Sequence, residues 1–83
     1  MGYLPTDKVI ALIAQEREIE AEEIILVSSQ EKDWPDGCLG LGGQEEMCTQ
    51  AIVPGYEIIL EIDGQEEIYR TDLNGENVRQ DLN

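Results

Sequence analysis

Residues 56–71 read YEIILEIDGQEEIYRT and contain the clearest structural pattern of the chain. Apolar and polar side chains alternate on both sides of Asp63-Gly64, the commonest type of two-residue turn in a β-hairpin. With these two residues in the turn, Ile58 lies opposite Tyr69 and shares a face with it. The pattern therefore predicts a hairpin with one mainly apolar face.

The same register assigns two charged pairs to the second face of the hairpin. Glu57 is placed opposite Arg70, and opposite charges at that spacing attract weakly. Glu61 is placed opposite Glu66, and like charges at that spacing repel. Because of this repulsion, a longer loop with another register remains an alternative.

The first part of the chain predicts a helix followed by a strand. Thr6 is suited to cap a helix over residues 6–18, and Asp7 lies where the helix dipole favours negative charge. Residues 24–33 open with four aliphatic side chains, three of them β-branched, which is typical of a strand. A helix of this length is not stable alone in water, so we expect it to pack on the sheet.

A last strand completes the predicted architecture. Asn74-Gly75 signals a second tight turn, after which residues 76–79 are predicted to form a short edge strand. The elements together predict one α+β domain over residues 1–83. In this domain an N-terminal helix packs on a three- to four-stranded antiparallel sheet.

Acidic residues dominate the composition. Nineteen acidic residues against five basic ones give a formal net charge of -14, and there is no His. Such a charge opposes nucleic-acid binding, because a nucleic-acid binder replaces phosphate counterions with cations. The lack of His removes the imidazole base of common catalytic sets, and no apolar run approaches the length of a membrane span. We therefore expect a protein that is not an enzyme and has no nucleic-acid or membrane partner.

Residues 34–55 differ from the rest of the chain, because Gly and Pro repeatedly interrupt regular structure. A loop of ~20 residues inside a small domain is uncommon and often functional. Residues 37–44 carry no charge at all. Trp34 stands at the entrance of the loop, where it would anchor a partner if exposed or pin the loop onto the sheet if buried. The candidate partner contacts are Trp34, Leu39, Leu41, Met47 and Ile52.

Cys38 and Cys48 both lie in this loop and are the only cysteines. A bridge between them would close a ring of roughly eleven residues and stabilise the fold by about 2.5–3 kcal/mol. Two free thiols, a reversible redox switch and a metal site are the alternatives. Zinc favours four Cys or His ligands, and the spacing is not that of thiol oxidoreductases. We predict no metal and no cofactor.

Five short motifs extend over most of the chain. They are Trp34-Pro35-Asp36, Cys38-Leu39-Gly40, Cys48-Thr49-Gln50, Val53-Pro54-Gly55-Tyr56 and Tyr69-Arg70-Thr71-Asp72. This motif string resembles a group of small uncharacterised bacterial domains, common in cyanobacteria and often extracytoplasmic. Their usual setting implies that the two cysteines form a disulfide. The layout of one helix on an antiparallel sheet also resembles PepSY and cystatin-like domains, and that likeness implies a role in restraining peptidases.

These observations lead to one main hypothesis and two alternatives. The main hypothesis is a non-catalytic binding or regulatory module, a monomer that contacts a protein partner through the Gly-rich loop. The alternatives are a thiol redox sensor at Cys38 and Cys48 and a peptidase-inhibitor-like module. The sequence carries no signal peptide, so the compartment stays open. It is extracytoplasmic if an export segment has been removed, and otherwise cytoplasmic with reduced thiols.

Overall fold

A computed structural model of the protein describes residues 5–82 and shows an α+β fold, as predicted. One N-terminal helix packs against a four-stranded antiparallel sheet. Residues 1–4 and 83 of the predicted domain lie outside the described residues. The elements are helix α1 (Pro5–Arg17), a 3-10 turn (Ala21–Glu23), and strands β1 (Ile24–Trp34), β2 (Val53–Ile62), β3 (Gln65–Asp72) and β4 (Val78–Asp81).

The sheet is a meander in which each strand pairs with the next one along the chain, in the order β1-β2-β3-β4. The predicted hairpin register is confirmed, with Ile58 opposite Tyr69. Asp63 and Gly64 have φ values of 54° and 78°, which are the left-handed conformations that a tight hairpin turn requires. Glu61 does lie opposite Glu66, so the alternative with a longer loop is wrong.

Helix α1 begins and ends one residue earlier than predicted. It begins at Pro5, so Thr6 lies inside the first turn and is not the cap residue. Proline suits a first helical turn because its missing N–H has no intrahelical partner there. At the other end, Glu18 has a φ of 56°, and this left-handed residue terminates the helix after Arg17.

Two strands begin at positions that differ from the prediction, and β1, β3 and β4 end one or two residues later than predicted. Strand β2 begins at Val53 rather than at residue 56, because Val53 pairs with Trp34 and the connecting loop is shortened to residues 35–52. Strand β4 begins at Val78 rather than at residue 76. The amide of Asp72 donates to the carbonyl of Asn77, and this bond keeps the turn closed up to the start of β4.

The core lies between α1 and one face of the sheet. The buried side chains are Val9, Ile13 and Ala14 from α1 and Ile24, Ile58, Leu60, Ile62 and Tyr69 from the sheet. Successive side chains of a strand point to opposite faces, so the odd-numbered residues of β2 from Val53 to Glu61 lie on the face opposite α1, which we call the distal face. No helix in the described part of the chain is long and apolar enough to span a membrane.

Candidate functional site

Loop 35–52 follows Trp34, the last residue of β1, which is only 7% exposed. The indole Nε1 donates a hydrogen bond to the carbonyl oxygen of Thr71 on β3, 3.0 Å away. Because β2 lies between β1 and β3, the indole must cross β2 to reach this carbonyl. It does so near Gly55, which is buried and lies opposite Asp72. Trp34 is therefore in the buried arrangement of the two that the sequence analysis left open, and its side chain is not accessible to a partner.

Arg70 connects the sheet to the loop. Its guanidinium lies 4.5 Å from the centroid of the Trp34 ring, and its Nη1 donates to the carbonyl of Leu39 at 2.8 Å. Its Nη2 forms an ion pair with Asp81 at 3.2 Å. Glu57 lies opposite Arg70 as predicted, but within residues 5–82 no ion pair joins the two. The guanidinium is stabilised instead by the ring face of Trp34, the loop carbonyl of Leu39 and the carboxylate of Asp81 on β4.

A tight turn brings Leu39 into the interior. The carboxylate of Asp36 accepts hydrogen bonds from the amides of Cys38 at 2.9 Å and Gly40 at 3.0 Å. Leu39 and Gly40 both have left-handed φ values, 58° and 76°. The Leu39 side chain is 0% exposed, so it is not accessible for the partner contact that the sequence analysis expected. The hydrophobic effect favours burial of this side chain over its exposure to solvent.

A disulfide between Cys38 and Cys48 closes the loop, with 5.4 Å between the two Cα atoms. Cys38 is buried and Cys48 is partly exposed. Beside the bridge, the amide of Gly37 donates to the carbonyl of Thr49 at 2.8 Å. The bridge and this hydrogen bond hold the start and the end of the loop together.

Among residues 5–82, a group that could resemble a metal site is formed by Asp36, Cys38 and Cys48, whose ligand atoms lie within 4.8 Å of one another. Both sulfurs are bonded to each other, so neither offers a thiolate to a metal. Three groups also fall short of the four ligands of a structural zinc site. The absence of a metal and of a cofactor stays a prediction.

Strand β4 and the turn before it hold the far side of the loop. Asn77 Nδ2 donates to the carbonyl of Gly37 at 3.0 Å. Arg79 forms an ion pair with Glu46, with 2.9 Å between Nη1 and Oε1. The hydrogen bond from Arg79, followed in size by the one from the amide of Gly43, lowers the pKa of the Glu46 carboxyl from 4.5 to about 2. The sequence analysis did not single out Asn77 or Arg79, because neither belongs to a local motif.

Three of the predicted contact residues remain available on this fixed loop. Met47 is 96% exposed and Ile52 is 71% exposed, whereas Leu41 is half-buried. The first two are the most and third most exposed of the large apolar side chains in the described part of the chain. The predicted partner contacts that are at least partly exposed are therefore Leu41, Met47 and Ile52.

The family comparison agrees with a small domain that has no assigned activity. A family model described as a domain of unknown function, DUF8738, matches residues 6–80. The chain therefore belongs to this family, whose match includes all of α1 but Pro5, all of the loop and most of the sheet. Neither curated proteins nor solved structures gave a match.

Proposed function

We propose that this domain is a non-catalytic binding module, and that Leu41, Met47 and Ile52 contact a partner protein. The observation that carries the proposal is the 96% exposure of Met47 on a loop closed by a disulfide. Exposed Met side chains are common at binding surfaces, because the flexible thioether adapts to partner surfaces of different shape.

The supports of the loop favour binding because they order it before a partner arrives. The disulfide, Trp34, Arg70 and Arg79 each attach the loop to itself or to the sheet. Ordering a flexible loop on binding lowers affinity, and a loop already ordered avoids that cost. A partner can therefore gain most of the free energy of burying Met47 and its neighbours.

The two carboxyl groups that arginines hold are not suited to act as general acids. The pKa of the Glu46 carboxyl and that of the Glu67 carboxyl are both lowered. Both are shifted down by hydrogen bonds from an arginine, Arg79 and Arg17 respectively. A carboxyl group that acts as a general acid near neutral pH needs a raised pKa, which is the opposite shift.

The charge of the protein defines the complementary partner surface. The exposed Glu45 lies close to Met47 in the chain, and the whole chain carries a net charge of -14. A surface of like charge would be repelled, so the partner surface should combine an apolar centre with a basic rim.

The test compares the proteins captured from a lysate of the native cell by the wild-type domain and by Met47→Asp and Ile52→Asp. Leu12→Asp is the matched control, since Leu12 is 41% exposed and lies on α1, away from the loop. We expect both loop variants to lose at least one captured protein that the wild type and the control retain. Identical sets from all four proteins would contradict the proposal.

The partial exposure of Cys48 favours one further function, a thiol redox sensor, because an accessible sulfur is open to thiolate attack. Reduction would then release the loop that Cys38 and Cys48 close. The reduction potential distinguishes a sensor from a structural bond, since structural disulfides have potentials below about -300 mV. A value well below this limit would end the redox proposal and leave the binding proposal intact.

The same loop geometry is compatible with the peptidase-inhibitor-like alternative, in which the exposed Met47 would enter a peptidase cleft. Inhibition assays against a panel of peptidases would test this role. It requires that wild-type protein inhibits at least one peptidase and that Met47→Asp does not.

A further inference from the structure

Only part of the distal face of the sheet is covered. The loop covers the end that carries Trp34 and Arg70, whereas three isoleucines lie toward the other end. Ile59 lies opposite Ile68, and Ile25 lies opposite Glu61, so the register places all three isoleucines on the distal face. Ile25 is 55% exposed, and the other two are half-buried. These three side chains form an apolar patch across three strands.

An irregularity in β1 adds to this patch. The register shifts between Leu26 and Ser28, and Val27 is the extra residue of this bulge. In a bulge two residues of one strand stand opposite a single residue of its neighbour, here Ile59. Val27 is 46% exposed and enlarges the apolar surface next to Ile59.

A pair of like charges borders the patch. Glu61 and Glu66 lie directly opposite each other, beside Ile25 and Ile68. Neither carboxylate has an ion pair or hydrogen-bond partner within residues 5–82. Opposed like charges destabilise a sheet, so the free domain keeps an unfavourable pair that a cation from outside would neutralise.

The cations of the described chain are engaged elsewhere or lie far away. Lys8 donates to the carbonyl of Asn74, Arg17 pairs with Glu67, Arg70 with Asp81, and Arg79 with Glu46. Lys32 lies opposite Gly55, seven residues along β1 from Ile25, which corresponds to about 20 Å. The charge needed between the two glutamates must therefore come from another molecule.

We propose that this patch, formed by Ile25, Val27, Ile59 and Ile68, docks an amphipathic helix of a partner protein. An apolar stripe of that helix would cover the isoleucines, and a Lys or Arg beside the stripe would lie between Glu61 and Glu66. Helix α1 covers the opposite face of the same strands in a comparable way. A sheet with a helix on each face is a common layered arrangement.

The occupant is a cationic partner rather than a second copy of this chain. Two copies would bring together net charges of -14 each and would oppose Glu61 and Glu66 with further carboxylates. This site is separate from the loop surface of the proposed function, and each can be disrupted without the other.

The test uses a synthetic helical peptide of Leu and Lys, titrated into the isotope-labelled domain and followed by NMR. A Leu and Glu peptide of identical pattern is the control probe. We expect saturable one-to-one binding of the Leu–Lys peptide, with the largest amide shifts around Ile25, Ile59 and Ile68. Absence of saturable binding, or equal binding of both peptides, would overturn the proposal.

Matched variants separate a specific site from general attraction to an acidic protein. Glu66→Lys should weaken binding of the Leu–Lys peptide by about tenfold or more, whereas Glu22→Lys, with the same change in charge, should stay within about twofold. Ile59→Ser should weaken binding in the same way, and Leu12→Ser should not. Equal losses from Glu66→Lys and Glu22→Lys would show that net charge alone attracts the peptide.

Two further outcomes identify other occupants. Met47→Asp should leave binding of the Leu–Lys peptide unchanged, and a loss in this variant would place the peptide on the loop and overturn the proposal. Sedimentation that shows a dimer broken by Ile59→Ser would assign the patch to a second copy, which also overturns it. Partner binding through the loop is tested separately, by the variants Met47→Asp and Ile52→Asp.

Discussion

The indole Nε1 of Trp34 donates to the carbonyl oxygen of Thr71, 3.0 Å away, across the intervening strand β2. This bond joins the first residue before the loop to the third strand of the sheet. The Trp34 ring also lies 4.5 Å from the guanidinium of Arg70, which in turn binds the carbonyl of Leu39. These contacts thus fix the position of the candidate binding loop relative to the sheet.

Gly55→Ala should destabilise the domain strongly. A Cβ at this position would lie 1.8 Å from the carbonyl oxygen of Thr71, and this backbone atom cannot move without breaking the sheet. We expect the free energy of unfolding, measured by urea denaturation, to fall by more than about 2 kcal/mol. Gly43→Ala is the control, because a Cβ on Gly43 meets nothing within 4 Å. Equal stability of the two variants would contradict this account.

Trp34→Phe should lower the free energy of unfolding by about 1–3 kcal/mol, because it removes the indole donor of a buried hydrogen bond to the carbonyl of Thr71. Arg70→Lys should also destabilise, since Lys lacks the fork that reaches both Leu39 and Asp81. The two losses in the free energy of unfolding should not add, because the two side chains contact each other. The loss in the double variant should differ from the sum of the single losses by about 0.5–1 kcal/mol. Strict additivity would show that the two side chains act independently.

The stability of the domain should fall in acid. The pKa of the Glu46 carboxyl is about 2 in the folded protein against an ordinary 4.5, so folding favours its ionised form. This stabilisation is present above pH 4.5 and is lost as the pH falls toward 2. In thermal unfolding followed from pH 6 to pH 2.5, we expect Arg79→Gln to show a shallower decline than the wild type. Parallel curves would contradict the role of this ion pair.

Reduction of the Cys38–Cys48 disulfide should lower the free energy of unfolding by about 3 kcal/mol in the chain-entropy model. NMR amide shifts should change mainly in loop 35–52, because the hairpin and α1 do not depend on the bridge for their pairing. The control is the disulfide-bonded protein in the same buffer, to which the reductant has been added in its oxidised form. Amide shifts that change equally over the whole sheet would contradict a local role.

Glu66→Lys should raise the free energy of unfolding by about 0.5 kcal/mol, because it replaces a like-charged pair with Glu61 by an attractive one. Glu22→Lys makes the same change in net charge at a position without that neighbour, and its smaller gain serves as the reference. Urea denaturation of both variants measures the difference. A gain no larger than that of Glu22→Lys would show that Glu61 and Glu66 do not repel each other significantly.

Much of the fold could be predicted from short-range patterns. The alternation of side chains around Asp63-Gly64 predicts the register of β2 with β3, and the structure confirms it. The predicted strand boundaries are less accurate than the register. The start of β2, for example, depends on the pairing of Val53 with Trp34, which lies nineteen positions earlier in the sequence. Pairing between distant segments leaves no periodic signal in the residues that it joins.

The candidate site could be predicted only in outline. Composition identified the loop and its cysteines, but it did not show which apolar side chains face inward. Leu39 and Met47 are both apolar residues of one loop, yet the first is 0% and the second 96% exposed. The left-handed turn at Leu39 and Gly40 and the bond from Arg70 hold the Leu39 backbone in the position where its side chain is buried, and neither can be read from the hydrophobicity of the loop residues.

Alternation, turn chemistry and charge are local properties of the chain, and they suffice to predict the hairpin, the helix, the α+β class and the acidic surface. The burial of Trp34 depends on the folded chain, and so do the contacts by which Arg70, Asn77 and Arg79 hold the loop. These three side chains contact loop residues that lie 31, 40 and 33 positions away in the sequence. Contacts of that range arise when the sheet brings distant segments together, so the surface offered to a partner is a property of the folded chain.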